Sequence, residues 1–190
     1  MTTHGIGRFL IDLPEHFQLL PNSSIELTFG KTKDFTKVNA LAVRTAGTSP
    51  SFSSVVANRI NALRASYHRH AASKSEFISM RRLGDDIGSP VLVQSLSGGL
   101  TDAFRHEIFV EGGESITLLV RETYTPKVTV PSDAAESQLI EIASGLRGVD
   151  PSTATAPGIC LGKALFNSTH DGEYVSISFR STLWKNENGG

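Results

Sequence analysis

Pro50-Ser51-Phe52-Ser53-Ser54-Val55-Val56-Ala57-Asn58-Arg59-Ile60-Asn61-Ala62-Leu63-Arg64-Ala65-Ser66-Tyr67-His68-Arg69-His70-Ala71-Ala72 reads as one long amphipathic helix. Ser49 suits the N-cap, and Pro50 suits the first helical position, where a missing N–H costs nothing. Phe52, Val55, Val56, Ile60, Leu63 and Tyr67 recur at helical spacing and form one apolar stripe. Asn58, Arg59, Asn61, Arg64 and Arg69 point elsewhere. A helix with one greasy face must pack on something, and strand-like segments stand on both sides of it.

Before the helix, period-two alternation predicts strands over Ile6–Leu13, Ser24–Phe29 and Val38–Thr45. Gly30–Thr36 reads as a hairpin connection. After it come Glu76–Leu83, Pro90–Leu96, Ala103–Val110 and Ser115–Tyr124. Their links carry Gly84-Asp85-Asp86-Ile87-Gly88, Gly98-Gly99 and Gly112-Gly113, which suit tight turns. Such short links make an antiparallel meander, because a parallel crossover needs a dozen or more residues. A second helix is predicted from Asp133 to Arg147. Asp133 and Glu136 form a capping-box-like pair, Leu139, Ile140, Ala143 and Leu146 make its stripe, and Gly148 is its C-cap. Val149–Pro157 lacks periodicity and reads as a linker. Two strands follow, Ile159–Phe166 and Glu173–Thr182, joined by a polar turn. They either join the first sheet or begin a second domain.

The fold class that results is α+β: an antiparallel sheet, or meander, covered by two helices, with a C-terminal β-hairpin. Residues 1–150 read as an N-terminal α+β domain, and 151–190 as a linker and the start of a second domain. Ile25, Leu27, Val56, Leu63, Ile108, Leu118 and Leu139 are expected to be buried together.

The chain has 190 residues, is 39% hydrophobic and 19% charged, and carries a formal net charge of -1. That balance lacks the basic excess of a general nucleic-acid binder. No window approaches the roughly 18 apolar residues of a membrane span. Met1-Thr2-Thr3-His4-Gly5 lacks the basic and apolar regions of a secretory signal.

Chemistry-bearing motifs are sparse. Cys160 is the sole cysteine. With a nearby His it would make a thiol nucleophile, but between Ile159 and Leu161 in a strand it reads better as a small buried hydrophobe. His68 and His70 are two apart on a helix and point in nearly opposite directions, so they do not make a metal pair. The paired glycines form neither a Gly-x-Gly-x-x-Gly fingerprint nor a Walker loop, and no Gly-x-Ser-x-Gly elbow occurs. Asp85 and Asp86 lack the spaced oxygen ligands of a calcium loop. No cofactor or metal site is expected.

Two stretches carry a resemblance. One is His4-Gly5-Ile6-Gly7-Arg8-Phe9-Leu10-Ile11-Asp12-Leu13-Pro14. The other is Pro157-Gly158-Ile159-Cys160-Leu161-Gly162-Lys163-Ala164, with Gly172-Glu173-Tyr174-Val175-Ser176-Ile177-Ser178-Phe179-Arg180 downstream. Together they resemble the two-domain bacterial immunity proteins that neutralise phospholipase (lipase) effectors of the type VI secretion system. Members of that family are generally longer, and a Cys often stands where Gly5 does, which leaves Cys160 without a partner here.

The resemblance implies a non-catalytic protein that binds and inhibits a cognate phospholipase effector, in the periplasm; with no leader visible, the cytoplasm is the alternative. An inhibitor of this kind needs apolar anchors within a polar rim. Asp85-Asp86-Ile87 and Gly98-Gly99-Leu100 each set one aliphatic side chain in a polar turn and are the expected partner-binding segments. The rival readings are a small hydrolase using Cys160 or the histidines, and a binding module for a small ligand or lipid.

Overall fold

The computed structural model describes residues 1–20, 23–29, 36–44, 50–66, 75–86, 88–97, 103–112, 115–124, 133–148, 158–162, 164–167 and 170–181. Fourteen strands and two helices lie among them. The strands are β1 (Thr2–Gly7), β2 (Phe9–Leu13), β3 (Phe17–Leu19), β4 (Ser24–Phe29), β5 (Thr36–Arg44), β6 (Phe77–Arg82), β7 (Val91–Leu96), β8 (Ala103–Gly112), β9 (Ser115–Tyr124), β10 (Leu146–Gly148), β11 (Ile159–Gly162), β12 (Ala164–Phe166), β13 (Gly172–Ser176) and β14 (Phe179–Ser181). The helices are α1 (Phe52–Ala65) and α2 (Asp133–Ser144). The chain is α+β, and every strand pair is antiparallel.

A seven-stranded sheet runs in the order β13-β4-β5-β9-β8-β7-β6. Its β6–β9 half is the expected meander. A five-stranded sheet runs β10-β12-β11-β1-β2, and β14 pairs with β3. All four strands after residue 158 pair outside their own neighbourhood or fold back locally. β11 pairs with β1, β12 with both β11 and β10, β13 with β4, and β14 with β3. The C-terminal hairpin is therefore β11–β12, inside the stretch read as one strand. The linker Val149–Pro157 falls outside the described residues.

α1 begins at Phe52. Ser51 rather than Ser49 is its N-cap, and its side chain accepts a hydrogen bond from the Ser54 N–H at 3.3 Å. Pro50 then precedes the cap. The helix ends at Ala65, where Ser66 turns to extended backbone; residues 67–72 of the predicted helix lie outside the described ones. Phe52, Val56, Ile60 and Leu63 are its buried stripe. α2 stops at Ser144, three residues short of the prediction. Leu146, read as the last turn of its stripe, instead starts β10, whose backbone pairs with β12. Gly148 is thus a strand residue and not a C-cap.

The seven residues expected in one core split between two. Val91, Val93, Phe109 and Ile116 meet Phe52, Val56, Ile60 and Leu63 of α1, with Leu118 packed beside them. Leu92, Ile108, Val110 and Leu119 point the other way. They join Ile25, Leu27 and Leu139 of α2, together with Ile159, Leu161, Ala164 and Phe166 of the smaller sheet. Adjacent strand residues alternate faces, so the helices cover opposite faces of the seven-stranded sheet. The order of layers is α1, large sheet, then α2 with the small sheet. Both faces of β7 and β8 are buried, which is why Val91-Leu92-Val93 is continuously apolar.

Candidate interaction surface

Two edges of the sheets expose apolar side chains. The first is β6, at one margin of the large sheet. Its register slips between Phe77 and Ser79, which takes Ile78 out of the ladder. Ile78 is 38% and Met80 48% exposed, and the neighbouring Arg81 and Arg82 are exposed too. A charged edge of this kind resists unwanted strand pairing while leaving side chains open to a partner.

The β6–β7 turn continues this edge. Leu83 N–H donates to the Pro90 carbonyl at 2.8 Å, and Ser89 N–H donates to the Asp86 carbonyl at 3.0 Å. Asp85 and Asp86 are exposed at its tip. Ile87 lies outside the described residues, as do Gly98, Gly99 and Leu100. The strand ends that flank this second segment, Leu96 and Ala103, sit at the opposite end of β7, about 20 Å from the Asp85 turn at strand spacing. Sequence reading passed over Ile78 and Met80. The usable signal was Phe77 alternating with Ile78 and Met80, which puts apolar side chains on both faces of one strand.

The second edge is β2 of the small sheet. Phe9, Leu10 and Ile11 are 76%, 51% and 40% exposed. Beneath Leu10 a hollow of about 140 Å³ opens towards Cys160 and Leu165. Cys160 is buried and free, and burial pushes its thiol pKa up. That is the opposite of what activates a cysteine nucleophile. His68 and His70 lie outside the described residues. Among the described residues no group of three or more His, Cys, Asp or Glu side chains could hold a metal ion.

Inside the layers, charges are paired. Glu107 is fully buried and takes two hydrogen bonds from Arg59 of α1, at 2.8 and 2.9 Å, and one from Arg105 at 2.6 Å. Under α2, Glu136 pairs with Arg81 and accepts from Gln94 at 3.0 Å, and Arg121 donates to Gln138 at 2.6 Å. His106, opposite Gln94 and Arg121, is fully buried. Burial first, and then the charge of Arg121, hold its pKa below the usual histidine value; a contact with the Arg121 backbone opposes this in part. Glu107 and His106 are enclosed between layers, and the ion pairs and hydrogen bonds of α1 and α2 with the sheet hold the layers together. The exposed edges are where a macromolecule can dock.

No family model matches the sequence, and no curated protein matches it. Among solved structures the chain is similar to the apo structure of the immunity protein TplEi of the type VI secretion system from Pseudomonas aeruginosa. The TM-score is 0.52 and the identity 19%; the match covers 88% of this chain and 51% of that one. The chain thus spans about half the length of that protein. At this identity the likeness is one of fold.

Proposed function

We propose that this chain is a non-catalytic immunity protein that binds and inhibits a cognate type VI secreted phospholipase effector. The observation that carries the reading is the fold shared with an immunity protein of that secretion system over 88% of the chain. The target class rests on the stretches His4–Pro14 and Pro157–Ala164, with Gly172–Arg180 downstream, which resemble the phospholipase-neutralising family. No helix among the described residues is long and apolar enough to cross a membrane. The site of action in this reading is the periplasm, as the resemblance implies.

In this reading the contact surface is the β6 margin and its turn, with Gly98-Gly99-Leu100 as a second contact. Ile78 and Met80 are the apolar anchors, and Arg81, Arg82, Asp85 and Asp86 form the polar rim. A lipase exposes apolar surface near its lid, and anchors of this size fit that chemistry. Blocking then means covering the lid or holding it shut, with no bond made or broken. The test is co-purification with a lipase from the genes flanking this one, and protection of cells that make that lipase. A neighbouring gene product with a Gly-x-Ser-x-Gly elbow would fit the reading. Failure of any complex to form would count against it.

A further inference from the structure

The β2 edge has a property that the β6 edge lacks: it is self-complementary. β1 and β2 are joined through Gly7 and Arg8, and Ile6 is the partner of Phe9 across the turn. In a two-residue hairpin that closing pair is hydrogen-bonded inward. Alternation then turns the N–H and C=O groups of Leu10 and Asp12 outward, to the side where, among the described residues, β2 has no neighbouring strand. The outward row runs Arg8-Phe9-Leu10-Ile11-Asp12. Placed antiparallel to a copy of itself about a two-fold axis at Leu10, this row sets Arg8 opposite Asp12, Phe9 opposite Ile11 and Leu10 opposite Leu10.

Every one of those pairs is favourable. Arg8 is 60% exposed; its Nε donates to Glu173 at 3.1 Å and its Nη2 lies 3.4 Å from His170 Nε2, exposed contacts that leave Nη1 to reach a carboxylate. Asp12 is exposed and accepts one hydrogen bond from the Thr3 hydroxyl at 2.7 Å, which leaves its second oxygen open to a cation. Phe9 against Ile11 is the aromatic–β-branched pair that stabilises sheets. Leu10 and its counterpart exchange both backbone hydrogen bonds, so the outward donors and acceptors are satisfied in one step.

We infer that two copies of this chain associate through β2, edge to edge, and join their five-stranded sheets into one ten-stranded sheet across a two-fold axis. The occupant of this edge is a second copy because the charges and the apolar pairs all match when the sequence runs against itself at this register. The surface involved is small. An edge pairing of this length buries on the order of 400 Å² per copy, about half of a standard interface, so association is weak. The inference stands apart from the proposed function, since it needs no effector.

Light scattering on the whole chain, with the concentration raised from about 5 to about 500 µM, reads the association directly. The mass rises towards twice that of one chain, and Leu10→Lys, which brings two like charges together at the axis, holds it at one chain throughout. Leu10 is half exposed, and an unchanged melting temperature shows that the variant folds. A second readout fixes the register. Leu10→Cys cross-links with itself under mild oxidation, because a hydrogen-bonded antiparallel pair holds its Cα atoms about 5.5 Å apart. Asp12→Cys does not, since its own counterpart lies about 14 Å away along the strands. A mass of one chain at all concentrations overturns the inference. So does a doubling that Leu10→Lys leaves intact, or equal cross-linking by the two cysteine variants.

Discussion

Arg59 on α1 and Glu107 in the middle of β8 are locked by two side-by-side hydrogen bonds, Nε to Oε2 at 2.8 Å and Nη2 to Oε1 at 2.9 Å. The carboxylate is buried, while the guanidinium is about one-third exposed. The pair fixes how α1 sits over the sheet, because its planar fork accepts one geometry. Arg59→Leu should destabilise the chain by about 2 kcal/mol in urea unfolding, less than the loss of a fully isolated pair because Arg105 still touches Glu107. Replacing Glu107 as well, in Arg59→Leu/Glu107→Leu, should recover part of that loss.

His106 makes stability depend on pH. Its pKa in the folded state is lowered by burial and by Arg121. The unfolded chain therefore takes up a proton near pH 6.5 that the folded chain resists, and stability falls as pH drops through and below that value. His106→Gln should show a flatter urea midpoint between pH 7.5 and pH 5 than the unaltered chain. Equal slopes for the two proteins would refute this assignment.

Leu63 and Leu139 are both buried, yet they lie in separate cores on opposite faces of the large sheet. Leu63→Ala and Leu139→Ala should each cost about 2–5 kcal/mol. Their effects should add to within about 0.5 kcal/mol in the double variant, as distant sites do. Strong coupling would mean that the cores are continuous.

Gly7 turns the β1–β2 hairpin with φ at +57°. A Cβ there would also stand 3.0 Å from Val175 Cγ2. Gly7→Ala should therefore cost about 1–3 kcal/mol, read as a lowered melting temperature.

The strands were legible where one face is apolar and the turn is marked. Ser24–Phe29 and Ser115–Tyr124 come out with their predicted bounds. Ile6–Leu13 reads as a single strand because the two-residue reversal at Gly7-Arg8 leaves apolar residues running through, and Ile159–Phe166 does so because Ile159-Cys160-Leu161 and Ala164-Leu165-Phe166 are apolar on both sides of the point where β11 gives way to β12. β3 is three residues long, too short to show a period. The pairing of β13 with β4, some 150 residues apart, has no local signature. The two cores merged in the reading because an apolar run such as Val91-Leu92-Val93 does not say that each face meets a different helix. Asp85 and Asp86 were legible as a turn. The exposure of Met80 and Phe9 was not, because an apolar residue in a strand carries no mark of whether anything covers it.

Inhibition of the effector decides whether this chain is an immunity protein against a phospholipase. The effector that co-purifies with this protein would be assayed on lipid vesicles while this protein is added up to a molar excess. Hydrolysis should fall to background near one equivalent, and Met80→Asp should weaken the effect at least tenfold, about 1.4 kcal/mol, without lowering the melting temperature. Unchanged hydrolysis in the presence of excess folded protein, with no complex detected, would contradict that role.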